Sequence, residues 1–175
     1  MLPDAIETSV IKRVLVVMLR HHGDVLLTSP VFTVLKRALP DAEIDALVYR
    51  ETVPMLLNHP SITIVHSVDR SRNHSIFGRW QKERHLLKAL RARRIDLLVL
   101  LGRHWRGWRL SWQLRPRYVV GPDYSDWRWR LALTHAYPDN LPGRHRVELN
   151  LDALRRLGIQ PMAGERRLVC IPGSV

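Results

Sequence analysis

Short, strongly apolar runs alternate along this chain with polar and amphipathic ones. The first, RVLVVML, is continuous and rich in β-branched residues from Val14 to Leu19, as in a strand buried on both faces. It ends abruptly in Arg20, His21, His22, Gly23 and Asp24, a polar turn with one glycine and one carboxylate. Ser29 and Pro30 then suit a helix N-cap and first position, with Val31, Val34, Leu35 and Ala38 on one face behind them. EIDALVY predicts a second strand over Glu43–Tyr49, followed by a short helix over Glu51–Asn58. Ile62–Val68 reads as a third strand nearer an edge, and Asp69–Gly78 as a loop.

A long helix over about Arg79–Arg93 is expected to bury Leu86, Leu87 and Leu90. Ile95–Leu101 should be a central strand, closed by Gly102-Arg103-His104 much as the first strand is closed. A helix over Trp105–Leu114 and a strand over Arg117–Gly121 follow. Asp123–Tyr137, rich in Trp and Arg, reads as a partly helical excursion over the sheet, and Pro138–Gly143 as a loop. His145–Leu157 is a helix with Val147, Leu151, Leu154 and Leu157 on one side and Gly158 at C′. GIQPMAGE is then a linker to a last strand, RRLVCI, running into IPGSV. Strands alternating with helices imply an α/β fold: a mostly parallel sheet, right-handed crossovers and helices on both faces. Residues 11–160 form one domain on this reading. Residues 161–175 are a linker and the first strand of a second, truncated α/β unit.

Composition adds little to the fold and more to the function. The 175 residues are 46% apolar, enough for a core, and no stretch nears the roughly 18 to 20 apolar residues of a membrane span. The opening MLPDAIETSV is acidic and polar, so no signal peptide is expected. The single cysteine, Cys170, rules out an internal disulfide framework and a cysteine-based zinc site, and fits a reducing compartment. The formal charge of +12 is concentrated. Arg70–Arg94 carries nine Lys/Arg against Glu83, and Arg103–Arg130 carries seven against Asp123 and Asp126. A confined excess of that kind suits an anionic partner as well as a solvated surface.

Candidate chemistry centres on the first polar turn. It lacks both G-x-G-x-x-G and the G-K-S/T of a phosphate loop. Asp24 is a carboxylate at the mouth of a buried strand, and ligands of open α/β sheets bind at strand carboxyl ends. A helix cap, a helix-dipole partner and a general base all remain open for it. His21 and His22 point opposite ways on an extended segment and make poor co-ligands, so no metal site is expected. Trp105, Trp108, Trp112, Trp127 and Trp129, interleaved with arginines, suit base or sugar stacking, or a core or interface role. No RNA-binding signature, zinc finger or G-x-S-x-G elbow accompanies them.

RHHGDVLLTSPVFTVLKRALPDAEIDALVYRETVPMLLNHPSI resembles the N-terminal half of the ADP-heptose:lipopolysaccharide heptosyltransferases, glycosyltransferase family 9. The GDVLLTSP turn, the DALVY strand, the helix HRVELNLDALRRLG and the closing IPGS support it, from Ile11 onward. Within the family the chain is most similar to the branch adding the third, side-branch heptose of the inner core. The resemblance implies the Rossmann-like, acceptor-binding N-terminal domain of a GT-B enzyme. It implies metal-independent, inverting transfer of heptose from ADP-L-glycero-β-D-manno-heptose to the lipopolysaccharide inner core, with no cofactor. Asp24 then maps onto the family's general base. His22, Gly23, Arg72, Arg79, Lys82, Arg84 and Arg103 are expected to face the Kdo- and phosphate-bearing acceptor, the arginines and lysine by position and charge alone. Most donor contacts belong to a second domain, so this chain by itself is expected to be inactive. The implied location is cytoplasmic, with peripheral contact at the inner membrane and no nucleic-acid partner. The competing reading is a non-catalytic anion-binding module for nucleic acid or anionic lipid.

Overall fold

The computed structural model describes residues 5–70, 76–124, 126–138 and 142–169, with the side chains of 76–79 outside that description. Six parallel strands form one sheet: β1 (Arg13–Met18), β2 (Glu43–Tyr49), β3 (Ile64–Val68), β4 (Leu97–Leu100), β5 (Tyr118–Pro122) and β6 (His135–Tyr137). Their spatial order is β3-β2-β1-β4-β5-β6. The first crossover series runs outward from β1 to β3 and the second from β4 to β6. The order therefore reverses between β1 and β4, as in a doubly wound dinucleotide-type fold.

The continuous apolar strands arise because both sheet faces are covered. Val14, Val16 and Met18 of β1 enter one core with Ile44, Ala46 and Val48 of β2. Leu15, Val17 and Leu19 enter the opposite core with Leu47 and Tyr49. Helices α2 (Ser29–Ala38) and α6 (Arg146–Arg156) cover the first face with Phe32, Leu35, Leu151 and Leu154. Helices α3 (Ile76–Ala92) and α4 (Trp105–Leu114) cover the second with Leu90 and Leu110. β1 to β5 lie on the apolar runs that predict them, and β3 is at an edge as expected.

Several local readings are corrected. The polar turn after β1 is a short helix, α1 (His22–Leu26), because successive N–H groups return to the carbonyls of His21 and Gly23. Ser29 is the first residue of α2 rather than its cap, and the cap position falls to Thr28. The segment after β2 is a 3-10 helix, Arg50–Met55, with Pro54 inside it. Among its described residues the Asp123–Tyr137 excursion holds one four-residue helix, α5 (Trp127–Arg130), and ends in β6, which extends the sheet beside β5. Residues 166–169 are not a strand, and the remainder of the expected last strand lies outside the described residues.

One buried polar cluster stands inside this frame. Asp45 is fully buried among the apolar side chains of β2. Arg93, just beyond α3, donates from Nε and Nη2 to its two oxygens at 2.8 and 2.9 Å. His66 Nε2 lies 3.2 Å from Oδ2.

Candidate active site at the carboxyl edge of the sheet

The strand order reverses between β1 and β4, so their outgoing chains diverge and leave a crevice. One wall is Arg20 through Asp24. Gly23 and Asp24 occupy the first turn of α1, with Asp24 half-buried and Gly23 exposed. Asn150 of α6 donates from Nδ2 to the Leu27 carbonyl at 3.0 Å, anchoring the α1–α2 junction from below. Among the described residues the Asp24 carboxylate makes no hydrogen bond or ion pair. It does not cap α1. The cap alternative therefore lacks its defining contact, while a place in the first turn still suits a helix-dipole partner.

Gly23 has helical geometry, and a Cβ built on it would meet nothing within 4 Å. The packing of this chain does not require glycine there. Gly23→Ala is expected to leave stability unchanged or raise it by about 0.5–1 kcal/mol, through helix propensity. Urea unfolding checks this, and acceptor titration reads whether the added methyl obstructs a ligand.

The opposite wall is the turn after β4. Gly102 has φ +142°, and a Cβ there would come within 3.1 Å of Arg20 Nε. Glycine lets the Arg20 guanidinium lie across the mouth of the crevice. His104 is the N-cap of α4: its Nδ1 accepts the Arg106 N–H at 3.1 Å. The neutral ring therefore carries its proton on Nε2, which faces Tyr49 Oη at 2.9 Å. Burial, assisted by the Arg106 charge, holds the His104 pKa below its ordinary value. Burial does the same at His59, only partly offset by a backbone hydrogen bond at Ser29.

Both lowered values have one thermodynamic sign. The unfolded chain takes up these protons first, so the histidines' contribution is whole above about pH 6.5 and is lost as pH falls below it. His104→Asn retains a capping side chain without the titration. Its urea midpoint should therefore decline less than the parent's between about pH 7.5 and 5.

The loops after β2 and β3 complete the rim. Arg70 Nη1 and Nη2 lie 3.1 and 3.4 Å from the His21 ring nitrogens, and the guanidinium sits 5.6 Å from the Tyr49 ring centroid. His22 Nε2 lies 2.8 Å from the Glu51 carbonyl oxygen. Arg50 and Lys82 both reach Asp69, at 2.7 and 2.9 Å. Beside them a hollow of about 570 Å³ opens between the end of β3 and α3, lined by Arg50, Asp69, Lys82, Glu83, His85 and Arg106 among others.

Of the residues singled out from sequence, His22, Gly23 and Asp24 thus share α1, and Arg103 stands across the crevice, paired with Asp126 at 3.4 Å. Lys82 joins the rim through Asp69. Arg84 lies over the Trp80 ring at 4.5 Å, in a separate groove along α3. Arg79 is placed in α3 by its backbone only, and Arg72 lies outside the described residues. Sequence reasoning missed Tyr49 and Arg70. Their positions, the last residue of one strand and the second residue after another, were the available signal.

No family model matches the chain. It is 35% identical over 159 residues to lipopolysaccharide heptosyltransferase 3 of Escherichia coli, covering 89% of this chain and 46% of that protein. By sequence the chain is similar to the lipopolysaccharide heptosyltransferases. The protein of the same name from E. coli strain K12 is also 35% identical, over 144 residues and 41% of its length. The chain therefore spans about half the length of the curated relatives it matches. Among solved structures, a family 9 glycosyltransferase of Veillonella parvula superposes with TM-score 0.75 and 23% identity, covering 90% of this chain and 44% of that one. E. coli heptosyltransferase WaaC, solved with ADP-2-deoxy-2-fluoro heptose, gives 0.68 and 19% over 86% of this chain and 50% of its own. These two likenesses establish the Rossmann-like fold.

Proposed function

We propose that residues 11–160 are the acceptor-binding domain of a lipopolysaccharide heptosyltransferase, with Asp24 as the general base. The observation that carries this reading is the Asp24 carboxylate itself: unpartnered among the described residues, on a short helix at the crevice where the strand order reverses. A base must be within hydrogen-bond reach of the proton it removes, and a carboxylate already held by arginines is a poorer one. The acceptor hydroxyl gives its proton to Asp24 while its oxygen attacks the anomeric carbon of the heptose. The bond from that carbon to the ADP oxygen breaks in the same displacement, and ADP leaves. One displacement inverts the anomeric configuration. The reading takes the reaction to be metal-independent, with ADP-L-glycero-β-D-manno-heptose as donor.

The acceptor side follows from charge. The lipopolysaccharide inner core carries Kdo carboxylates and phosphates, and Arg103, Lys82, Arg84, Arg79 and Arg72 are assigned to meet them, with His22 and Gly23 beside the reacting hydroxyl. A second α/β domain is assigned most donor contacts, with residues 161–175 leading towards it. The 175-residue chain alone is accordingly expected to bind the acceptor without transferring heptose. Titration with heptose-deficient lipopolysaccharide tests the first half of that statement. Mass spectrometry of the acceptor after incubation with ADP-heptose tests the second, and robust transfer by the isolated chain would refute it.

A further inference from the structure

The outer face of α4 runs against the usual pattern. Its inner stripe, Gly107, Leu110 and Ser111, packs on the sheet, and a Cβ on Gly107 would meet Leu100 Cδ2 at 3.0 Å. Its outer stripe should be polar and instead presents Trp105, Trp108 and Trp112, exposed by 48%, 36% and 51%. Trp127 and Leu131, in and just after α5, extend it at 65% and 63% exposed. Despite the basic composition of this stretch, the face carries little free charge. Of the seven arginines in residues 103–130, five stand against carboxylates: Arg106 and Arg109 on Glu83, Arg103 on Asp126, Arg117 on Glu7 and Arg130 on Asp123.

The face also has relief. Between α4 and α5 lies a hollow of about 270 Å³, walled by Trp105, Trp108, Arg103, Asp126 and Arg128 and lined in part by the buried Trp129. Two contacts hold its walls in place. Trp108 Nε1 donates to the Arg128 carbonyl at 3.0 Å, and Arg103 Nη2 to Asp126 Oδ2 at 3.4 Å. The hollow sits at the N-terminal end of α4. Trp112 stands at the other end, about 10 Å further along the axis than Trp105. The face thus carries an exposed indole and, displaced from it, a hollow with room for one.

We propose that this face pairs two copies of the chain about a two-fold axis, Trp112 of each copy entering the α4–α5 hollow of the other. A two-fold contact needs a self-complementary surface. Antiparallel packing of α4 on its copy meets that need, because it brings each knob to the opposite hole. The four exposed indoles leave roughly 300–500 Å² open. Leu131 and the aliphatic stems of Arg115 and Arg128 bring this towards the about 600–800 Å² per partner of a small specific interface. Tryptophan filling a pocket among arginines is also the composition of interface hot spots. Near-neutrality lets like copies approach without repulsion, whereas a strand of nucleic acid would find few free guanidinium groups. The pairing does not depend on heptose transfer, and its test uses neither donor nor acceptor.

Sedimentation velocity of the 175-residue chain over about 1–200 µM should pass from monomer to dimer and no further, with a midpoint on the order of ten micromolar. Tryptophan emission should move to shorter wavelength over the same range as the indoles leave water. Raising NaCl to about 0.5 M should shift the midpoint by less than about threefold, since local ion pairs already balance most of the arginines. Trp112→Ser removes the knob and should raise the dissociation constant about tenfold or more. Trp127→Gln, at the rim, should raise it about threefold or more. Urea midpoints say which variant keeps the parent's fold, and a variant that keeps it decides. Where neither does, the emission shift of the parent decides. Association of a deciding variant within about twofold of the parent overturns the proposal, as does a parent that is monomeric throughout the range. So does growth beyond the dimer, which would mean a head-to-tail contact. Loss of the dimer on nuclease treatment overturns it in favour of bridging nucleic acid. A chain joined to a donor-binding half that stays monomeric, with its emission already at the shorter wavelength, overturns it in favour of that half.

Discussion

Replacing Asp24 by Asn, in the chain joined to a donor-binding half, should lower heptose transfer by about 10²- to 10⁴-fold. Acceptor affinity should stay within about threefold. The amide is nearly isosteric and retains hydrogen-bonding capacity, so acceptor placement survives while proton removal does not. Since the carboxylate makes no hydrogen bond or ion pair among the described residues, its replacement leaves no internal partner stranded. The urea midpoint should therefore match the parent's. That combination separates a base from a structural carboxylate: a helix-capping Asp24 would reduce stability and spare turnover. Transfer measured with ADP-heptose, beside acceptor titration and unfolding, reads all three. Near-normal turnover with unchanged acceptor binding would remove Asp24 from the mechanism.

The largest stability effect is expected far from the crevice. Arg93→Met keeps an apolar stem and leaves Asp45, fully buried, with His66 as its remaining partner in the cluster. Breaking a buried pair from one side costs about 3–5 kcal/mol, because a buried charge loses its compensation. Asp45→Leu/Arg93→Met should recover much of this, since it removes both charges. The acid dependence has a definite sign. Burial is the largest influence on Asp45 and by itself raises its pKa. The hydrogen bonds from His66 and Arg93 and the charges of both together outweigh it and hold the carboxyl below its usual range. The contribution is thus whole above about pH 4 and is lost as pH falls through the depressed folded value. The deficit of Arg93→Met relative to the parent should accordingly shrink in that acid window. Urea unfolding at several pH values checks both statements.

The layout of this domain was readable from residues because strands buried on both faces must be continuously apolar, and β1, β2 and β4 advertise that plainly. β6 was not readable. Three residues, His135, Ala136 and Tyr137, carry no hydrophobic pattern of their own, and their strand conformation depends on pairing with β5. α1 was hidden for a related reason: glycine and aspartate are weak helix formers, and five residues give no periodicity. At the site, Asp24 was visible through its position between a buried strand and a helix, but its lack of partners was not. The Arg70–His21 and Tyr49–His104 contacts join residues 49 and 55 positions apart. No local pattern encodes distances of that kind. The tryptophans show the same limit, for spacing on α4 does not say which side of the helix meets the sheet.

The Tyr49–His104 hydrogen bond has a mechanical consequence. It joins the end of β2 to the turn after β4, passing over β1 and bridging the two oppositely wound halves of the sheet. Without such a staple the halves could splay at their line of divergence, and an arriving ligand would have to spend binding energy drawing them together. With it, the aperture is set before any ligand arrives. Less of the ligand's binding energy then goes into reshaping its host.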